Sequence, residues 1–203
     1  MDRIQVLQLY PTSIIQCDWS TYFSSLDIKD MIQDIDKIID EKILMQYSEQ
    51  TPRHQSKPIL FKEDRPIVWQ KLKHTFLISC RKYLDLVDDF TQNKNSLDFI
   101  GERAWFYKGW LSSDKTQTNP WHNHTPSFLS GVFYLSIPNN STDCGTEFAD
   151  PRYNEFRNTR NQSTASFALT WAIFPGWLNH KSVQCNSEIP RYVIAADSYV
   201  KVL

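Results

Sequence analysis

Trp121-His122-Asn123-His124-Thr125-Pro126-Ser127-Phe128-Leu129-Ser130-Gly131-Val132-Phe133-Tyr134-Leu135 is the stretch on which the reading of this chain turns. Its second half, β-branched and aromatic, reads as a strand, and its first half sets two histidines at i and i+2. In extended backbone that spacing points both imidazoles to the same face. Two neutral imidazoles on one face have the chemistry of metal ligands, and catalytic metal centres commonly join three protein ligands to open positions. His180, closing Phe174-Pro175-Gly176-Trp177-Leu178-Asn179-His180, is a third candidate ligand, and eleven residues later Arg191 opens the last apolar run, Arg191-Tyr192-Val193-Ile194-Ala195-Ala196. Three imidazoles and a guanidinium together ask for a metal with an anionic ligand beside it.

Composition bounds what surrounds that stretch. A chain of 203 residues can bury one sizeable core, and its length favours a single domain over two. With 22 basic against 23 acidic residues and a net charge of -1, nothing global draws it to nucleic acid or to a membrane surface. Aromatic residues make up 14% of the chain, which suits a β-rich core or an aromatic-lined pocket. Cys17, Cys80, Cys144 and Cys185 lie far apart with no Cys-x-x-Cys pair, which argues against a zinc knuckle or a dense disulfide framework and predicts reduced thiols in a cytoplasmic protein. Met1-Asp2-Arg3-Ile4 opens no signal-like segment, and no stretch approaches the roughly 20 apolar residues of a membrane span.

Periodicity supplies the elements. Ile4 to Leu9 reads as a short strand ended by Pro11-Thr12. From Ile28, the apolar positions Met31, Ile32, Ile35, Ile38, Ile39 and Ile43 recur at three and four residues, so an amphipathic helix is expected with Asp27 as its cap. Tyr47 to Pro66 is polar, carries three prolines and reads as a long surface loop, with His54 exposed in it. Val68, Leu72, Phe76, Cys80, Tyr83, Leu84 and Val87 mark a second helix lying on the outer face of a sheet; His74 falls off that stripe. Phe99 to Leu111 alternates as a strand with Trp105 and Tyr107 on one face. Short strands follow at Gly145 to Ala149, Ala165 to Phe174 and Tyr192 to Val202, and the arginines at 152, 157 and 160 read as a solvated face or as contacts to an acidic substrate. Two helices followed by many short strands give an α+β chain, a single domain over 1–203, with mainly helical support in 1–98 and the β core in 99–203.

The order of the pieces resembles a known family. His-x-His, a strand ending in Tyr134-Leu135, the Gly145-Thr146-Glu147-Phe148 segment, Phe174-Pro175 leading to a histidine and an arginine beyond it is the order found in 2-oxoglutarate/iron(II)-dependent oxygenases. Within that superfamily the chain is most similar to the small oxygenases with His-x-His-Pro-like, Ser-Gly-Val-Tyr-Tyr-like and Phe-Pro-x-Trp-Leu-x-His-like segments, matched here by His124-Thr125-Pro126, Ser130-Gly131-Val132-Phe133-Tyr134 and Phe174 to His180. The likeness implies a double-stranded β-helix, a jelly-roll relative, as the core. It implies iron(II) held by His122, His124 and His180 as the catalytic centre, with dioxygen and 2-oxoglutarate as cosubstrates. It also implies that Arg191 receives the far carboxylate of 2-oxoglutarate, a role for which a planar guanidinium is suited. Tyr134, Tyr107 and Thr170 are candidates for a further hydrogen bond to the cosubstrate, weighed against the plainer reading of each as a satisfied core hydroxyl. The expected reaction couples decarboxylation of 2-oxoglutarate to succinate with oxidation of a substrate C–H bond, by default a hydroxylation, on a small molecule or on a protein side chain.

The chain departs from the wider superfamily at one ligand, since most members carry Asp or Glu where this sequence has His124. Three neutral imidazoles change the charge of the site relative to a set containing a carboxylate. Either the three histidines form the site, or a carboxylate such as Glu147 or Asp150 completes it, or His124 stands behind the metal. Two other classes of function compete: a cupin-like three-histidine dioxygenase that needs no 2-oxoglutarate, and a non-catalytic β-helix binding module. If histidines hold the metal, affinity is expected to weaken as pH falls toward the ordinary imidazole value of about 6.5.

Overall fold

The computed structural model describes residues 12–45, 53–87, 97–109, 120–138, 145–151, 162–164, 167–183 and 187–202. The strand expected at Ile4 to Leu9, Cys144, Cys185 and the arginines at 152, 157 and 160 lie outside the described residues.

Two helices form where the apolar periodicity places them. Helix α1, Ser25–Asp40, buries Met31, Ile35 and Ile38, and its cap is Ser24 rather than Asp27. Asp27 is the other half of a capping box: the Ser24 hydroxyl accepts from the Asp27 backbone N–H while the Asp27 carboxylate accepts from the Ser24 N–H. Ile43 falls beyond the helix end. Helix α2, Ile67–Leu86, buries Val68, Trp69, Leu72, Phe76, Cys80, Tyr83 and Leu84 on one face.

Strands β1 (Ile15–Asp18), β2 (Arg53–Gln55), β3 (Leu97–Gly109), β4 (Leu129–Ser136), β7 (Thr170–Pro175) and β9 (Arg191–Val202) make one antiparallel sheet in the order β1-β7-β4-β9-β3-β2. Strands β5 (Thr146–Phe148), β6 (Gln162–Thr164) and β8 (His180–Ser182) make a small sheet in the order β6-β5-β8. An isolated bridge pairs His122, in the segment ahead of β4, with His180 of β8. This closing of strand pairs around an interior is the double-stranded β-helix expected from the sequence.

Pleating divides each long strand between two interiors. Phe106, Leu129, Phe133, Trp171, Ile173, Ile194 and Ala196 face the helices and join the main core, where the Trp171 indole N–H donates to Thr75 Oγ1 on α2 at 2.9 Å. Tyr107, Val132, Tyr134, Ala172, Phe174 and Val193 face the other way and form a second apolar cluster with Phe148 and Leu178 beneath the small sheet. Strands β4 and β7 are therefore buried almost throughout, and their sequences read as apolar runs rather than as alternations.

In the stretch read as a surface loop from Tyr47 to Pro66, the described residues 53–66 depart from that expectation. β2 lies within it and pairs with Tyr107, Lys108 and Gly109 of β3, and Leu60 and Phe61 are core residues. His54, expected to be exposed, is half-buried in β2, and burial followed by the nearby Lys108 charge pushes its pKa down. No described helix is long and apolar enough to cross a membrane.

Candidate metal centre

The three histidines reach one point from two backbone segments, His122 and His124 from the stretch ahead of β4 and His180 from β8. His122 and His180 form an antiparallel bridge, with His122 N–H donating to the His180 carbonyl at 3.1 Å and His180 N–H to the His122 carbonyl at 2.9 Å. His124 is held one pleat further on by its N–H, which donates to the Gly176 carbonyl at 2.8 Å. That contact fixes why residue 176 is glycine: a Cβ there would lie 2.2 Å from both the carbonyl oxygen and Oγ of Ser127. Asn123 Nδ2 donates to Asn179 Oδ1 at 3.0 Å, bracing the two histidine-bearing segments against each other.

The ring centroids lie 4.5 Å (His122–His180), 4.9 Å (His124–His180) and 5.3 Å (His122–His124) apart. One ring nitrogen from each lies within 4.8 Å of the others, and among the described residues this is the group of His, Cys, Asp and Glu side chains so arranged. His122 Nδ1 is 2.8 Å from the Pro120 carbonyl and His180 Nδ1 is 2.9 Å from the Leu178 carbonyl. A carbonyl only accepts, so both Nδ1 atoms carry hydrogen and both Nε2 atoms keep a lone pair. His124 and His180 are 8% and 4% exposed. Burial pushes the His180 pKa down to about 3, outweighing its hydrogen bond to Leu178, and burial lowers His122 as well. Both rings are neutral at pH 7, the form a metal requires. Three imidazole nitrogens on one side, with space on the other, fit a divalent transition metal that keeps positions open.

His124 has a partner that sequence reading did not single out. Its Nδ1 lies 2.7 Å from Oδ1 of Asp197, a carboxylate with no exposed surface. Asp197 also accepts from Ser130 Oγ at 2.7 Å and from Arg103 Nε and Nη2, each at 2.9 Å. Burial raises the Asp197 pKa, but these donors outweigh it and hold the carboxyl below its ordinary range. The register explains the cluster: Asp197 stands opposite Arg103 on one neighbouring strand and opposite Ser130 on the other.

A cavity of about 500 Å³ opens in front of the histidines and is lined by Arg103, Trp105, Tyr107, Tyr134, Thr146 and Arg191 among others, a size within the usual range of small-molecule sites. Arg191 is 3% exposed, and its guanidinium lies over the Tyr107 ring at 5.5 Å. Val193 and Ala195 share its face and line the same cavity, as the alternation of β9 requires. Tyr134 also lines it, its hydroxyl 2.8 Å from Thr146 Oγ1.

Thr170 does not join this group. It sits at the start of β7, opposite Asp18, with its hydroxyl directed to the Ala168 carbonyl, and it is absent from the cavity wall. Glu147 is also set aside as a ligand: pleating turns it from the face that Thr146 and Phe148 share with His180, and its carboxylate pairs with Lys181 at 3.0 Å. Asp150 is likewise not brought together with the histidines.

Comparison with known proteins agrees with this architecture. Residues 108–197 match the family model described as "Putative 2OG-Fe(II) oxygenase", the segment that carries the motifs read from the sequence. Similar solved structures include the α-ketoglutarate-dependent epimerase SnoN from nogalamycin biosynthesis, with TM-score 0.62 and 9% identity over 92% of this chain and 78% of that one. A prolyl-4-hydroxylase from Pseudomonas putida gives 0.58 and 10% identity, covering 92% of each chain. The viral collagen prolyl hydroxylase of Paramecium Bursaria Chlorella virus-1, in its 2-oxoglutarate complex, gives 0.55 and 12% identity over 93% and 96%. No curated protein sequence matches. At these identities the structures establish the fold, the double-stranded β-helix of the 2-oxoglutarate/iron(II) oxygenases.

Proposed function

We propose that this protein is a 2-oxoglutarate- and iron(II)-dependent hydroxylase that holds iron(II) through His122, His124 and His180 and binds 2-oxoglutarate through Arg191. The observation that carries the reading is the placing of three imidazole nitrogens, those of the buried His124 and His180 and the part-buried His122, within 4.8 Å of one another on the wall of a cavity that Arg191 also lines. When bound, iron(II) with 2-oxoglutarate activates dioxygen, so that one oxygen atom enters a substrate C–H bond and the other leaves in succinate as carbon dioxide is released.

The chain's own part is binding, orientation and exclusion of water. The Pro120 and Leu178 carbonyls hold the Nδ1 hydrogens of His122 and His180 and so aim their lone pairs into the cavity. Arg191 keeps its charge when buried and offers two parallel N–H groups to a carboxylate, while the Tyr107 ring beneath limits where the fork can point. Val132, Val193 and Ala195 make the wall between apolar, which keeps water from the reacting atoms. The Tyr134 hydroxyl stands on the same wall, 2.8 Å from Thr146 Oγ1. The substrate is a small molecule or a protein side chain.

The test is anaerobic loading with iron(II), followed by measurement of succinate formed from 2-oxoglutarate on admission of dioxygen. One iron per chain and dioxygen-dependent succinate are expected, with both lost in His122→Ala and His180→Ala. Iron retained in both variants would overturn the ligand assignment. Dioxygen consumption indifferent to 2-oxoglutarate would point to the three-histidine dioxygenase, and the absence of turnover with metal bound to a binding module.

A further inference from the structure

We propose that Asp197 is a positioning residue of the metal site: anchored by Arg103 and Ser130, it fixes His124 as an Nε2 donor and lends the three-imidazole set a negative charge. The inference rests on the reading that the three histidines hold a metal. It goes beyond that reading by assigning a role to a buried carboxylate that touches neither the metal position nor the cavity.

Every acceptor position of Asp197 is accounted for. Oδ2 accepts from Arg103 at 2.9 Å, and Oδ1 accepts from Ser130 Oγ at 2.7 Å and faces His124 Nδ1 at 2.7 Å. Ser130 is buttressed by Ser127, whose Oγ lies 2.9 Å away. An ionised carboxylate only accepts, so Nδ1 of His124 carries a hydrogen and its lone pair sits on Nε2. The other two histidines are fixed by neutral carbonyls, so His124 alone is held by a charged group. Metal-bound imidazoles backed by a carboxylate become more basic donors with a fixed ring plane.

Charge decides why the acceptor at this position is an aspartate. Iron(II), three neutral imidazoles and dianionic 2-oxoglutarate sum to zero, whereas a set with one carboxylate ligand sums to one negative charge. Asp197 restores that charge one hydrogen bond behind the metal. Arg103 does not cancel it in full, because the Arg103 side chain is 45% exposed and shares its field with solvent, while Asp197 is 0% exposed. The tilted Trp105 ring lies 5.3 Å from that of His124, and both His124 and Asp197 are buried.

Cobalt(II) is the probe, read in two ways: binding affinity by calorimetry, and the paramagnetically shifted Nδ1–H signals of bound imidazoles by proton NMR. Wild type should show three such exchangeable signals. Asp197→Ala should lose the His124 signal to solvent exchange, keep the other two, and bind cobalt(II) about 10–100-fold more weakly. The isosteric Asp197→Asn, which keeps an acceptor oxygen and the packing, should retain three signals with an intermediate loss of affinity. Wild-type affinity in both variants would overturn the inference and leave the histidine site standing, because Asp197 would then be only a structural anchor. If Asp197→Ala does not fold, Asp197→Asn decides alone, and unchanged affinity there removes the role of the charge. A wild-type protein that binds no cobalt(II), or a His180→Ala variant that binds it as wild type does, sinks the metal reading itself and this inference with it.

Discussion

At the scale of single residues, the environment of His124 sets what can replace it. An aspartate at 124 would supply the ligand commoner among 2-oxoglutarate/iron(II) oxygenases, but one of its oxygens would fall close to where Nδ1 now lies, 2.7 Å from Asp197 Oδ1. Two carboxylates at that separation cannot both ionise without large cost. His124→Asp alone is therefore expected to bind cobalt(II) poorly, and His124→Asp with Asp197→Asn, which turns an acceptor into a possible donor, to recover much of the binding. Equal binding by the single and double variants would contradict this. The same rings revise the pH behaviour expected from the sequence. His180 titrates near 3 in the folded protein, so protons do not compete for it as pH falls through the ordinary imidazole value. That ring therefore adds little to any change in metal affinity between about pH 7.5 and about 6, where a histidine at the ordinary value of about 6.5 would weaken it. The cost appears instead in folding. Between about 6.5 and 3 the unfolded chain binds a proton at His180 that the folded chain does not, so the metal-free protein loses stability as pH falls across that window. Denaturation midpoints that do not change there would refute the shift.

At the scale of elements, periodicity made both helices legible, because each must bury a stripe of apolar residues, and Met31, Ile35, Phe76 and Cys80 are indeed fully buried. The cap of α1 was less legible, since Ser24 and Asp27 are both plausible caps and only the backbone places Ser24 first. Asp27 takes a pKa of about 2 from the Lys71 hydrogen bond and then the Ser24 N–H. Its contribution is present above the ordinary value near 3.8 and is lost as pH falls toward 2. Ser24→Ala should cost about 1 kcal/mol at neutral pH by denaturant titration, and lysine removal at 71 should make the acid loss shallower, because Asp27 then titrates closer to its ordinary value. Strand β2 was illegible because its residues are polar and its partner lies about a quarter of the chain away in sequence; the pairing of Gln55 with Tyr107 supplies what local pattern lacks. Gly131 shows the reverse, a small residue whose reason appears only in packing. A Cβ there would come within 2.8 Å of Ile173, 2.9 Å of Phe76 and 3.0 Å of Trp171, where α2 crosses the sheet. Gly131→Ala should therefore destabilise by about 1–3 kcal/mol through overpacking, and a neutral result would mean that α2 shifts freely.

At the scale of the whole molecule, the histidine spacing and the family-like order were visible in the chain, whereas the row Arg103, Asp197, Ser130 was not. Those three meet only through the register of β3 and β4 on β9, which no single segment encodes. The same register carries Arg191 into the cavity opposite Gly109, buried to 3% with its face shared by Val193 and Ala195. A guanidinium on that wall offers a planar fork that a carboxylate entering the cavity can meet. Binding to the folded state alone then raises stability, by about 2.7 kcal/mol at a hundredfold excess over Kd, or roughly 5–10 °C in Tm for a domain of this size. The expected pattern is ordered. Cobalt(II) raises Tm of the wild type, and 2-oxoglutarate or N-oxalylglycine raises it further. Arg191→Met keeps the first increment and loses the second, because the arginine is assigned only to the far carboxylate, while His180→Ala loses both. If Arg191→Met retained the second increment, the carboxylate would be held elsewhere and the arginine would belong to the substrate or to the core.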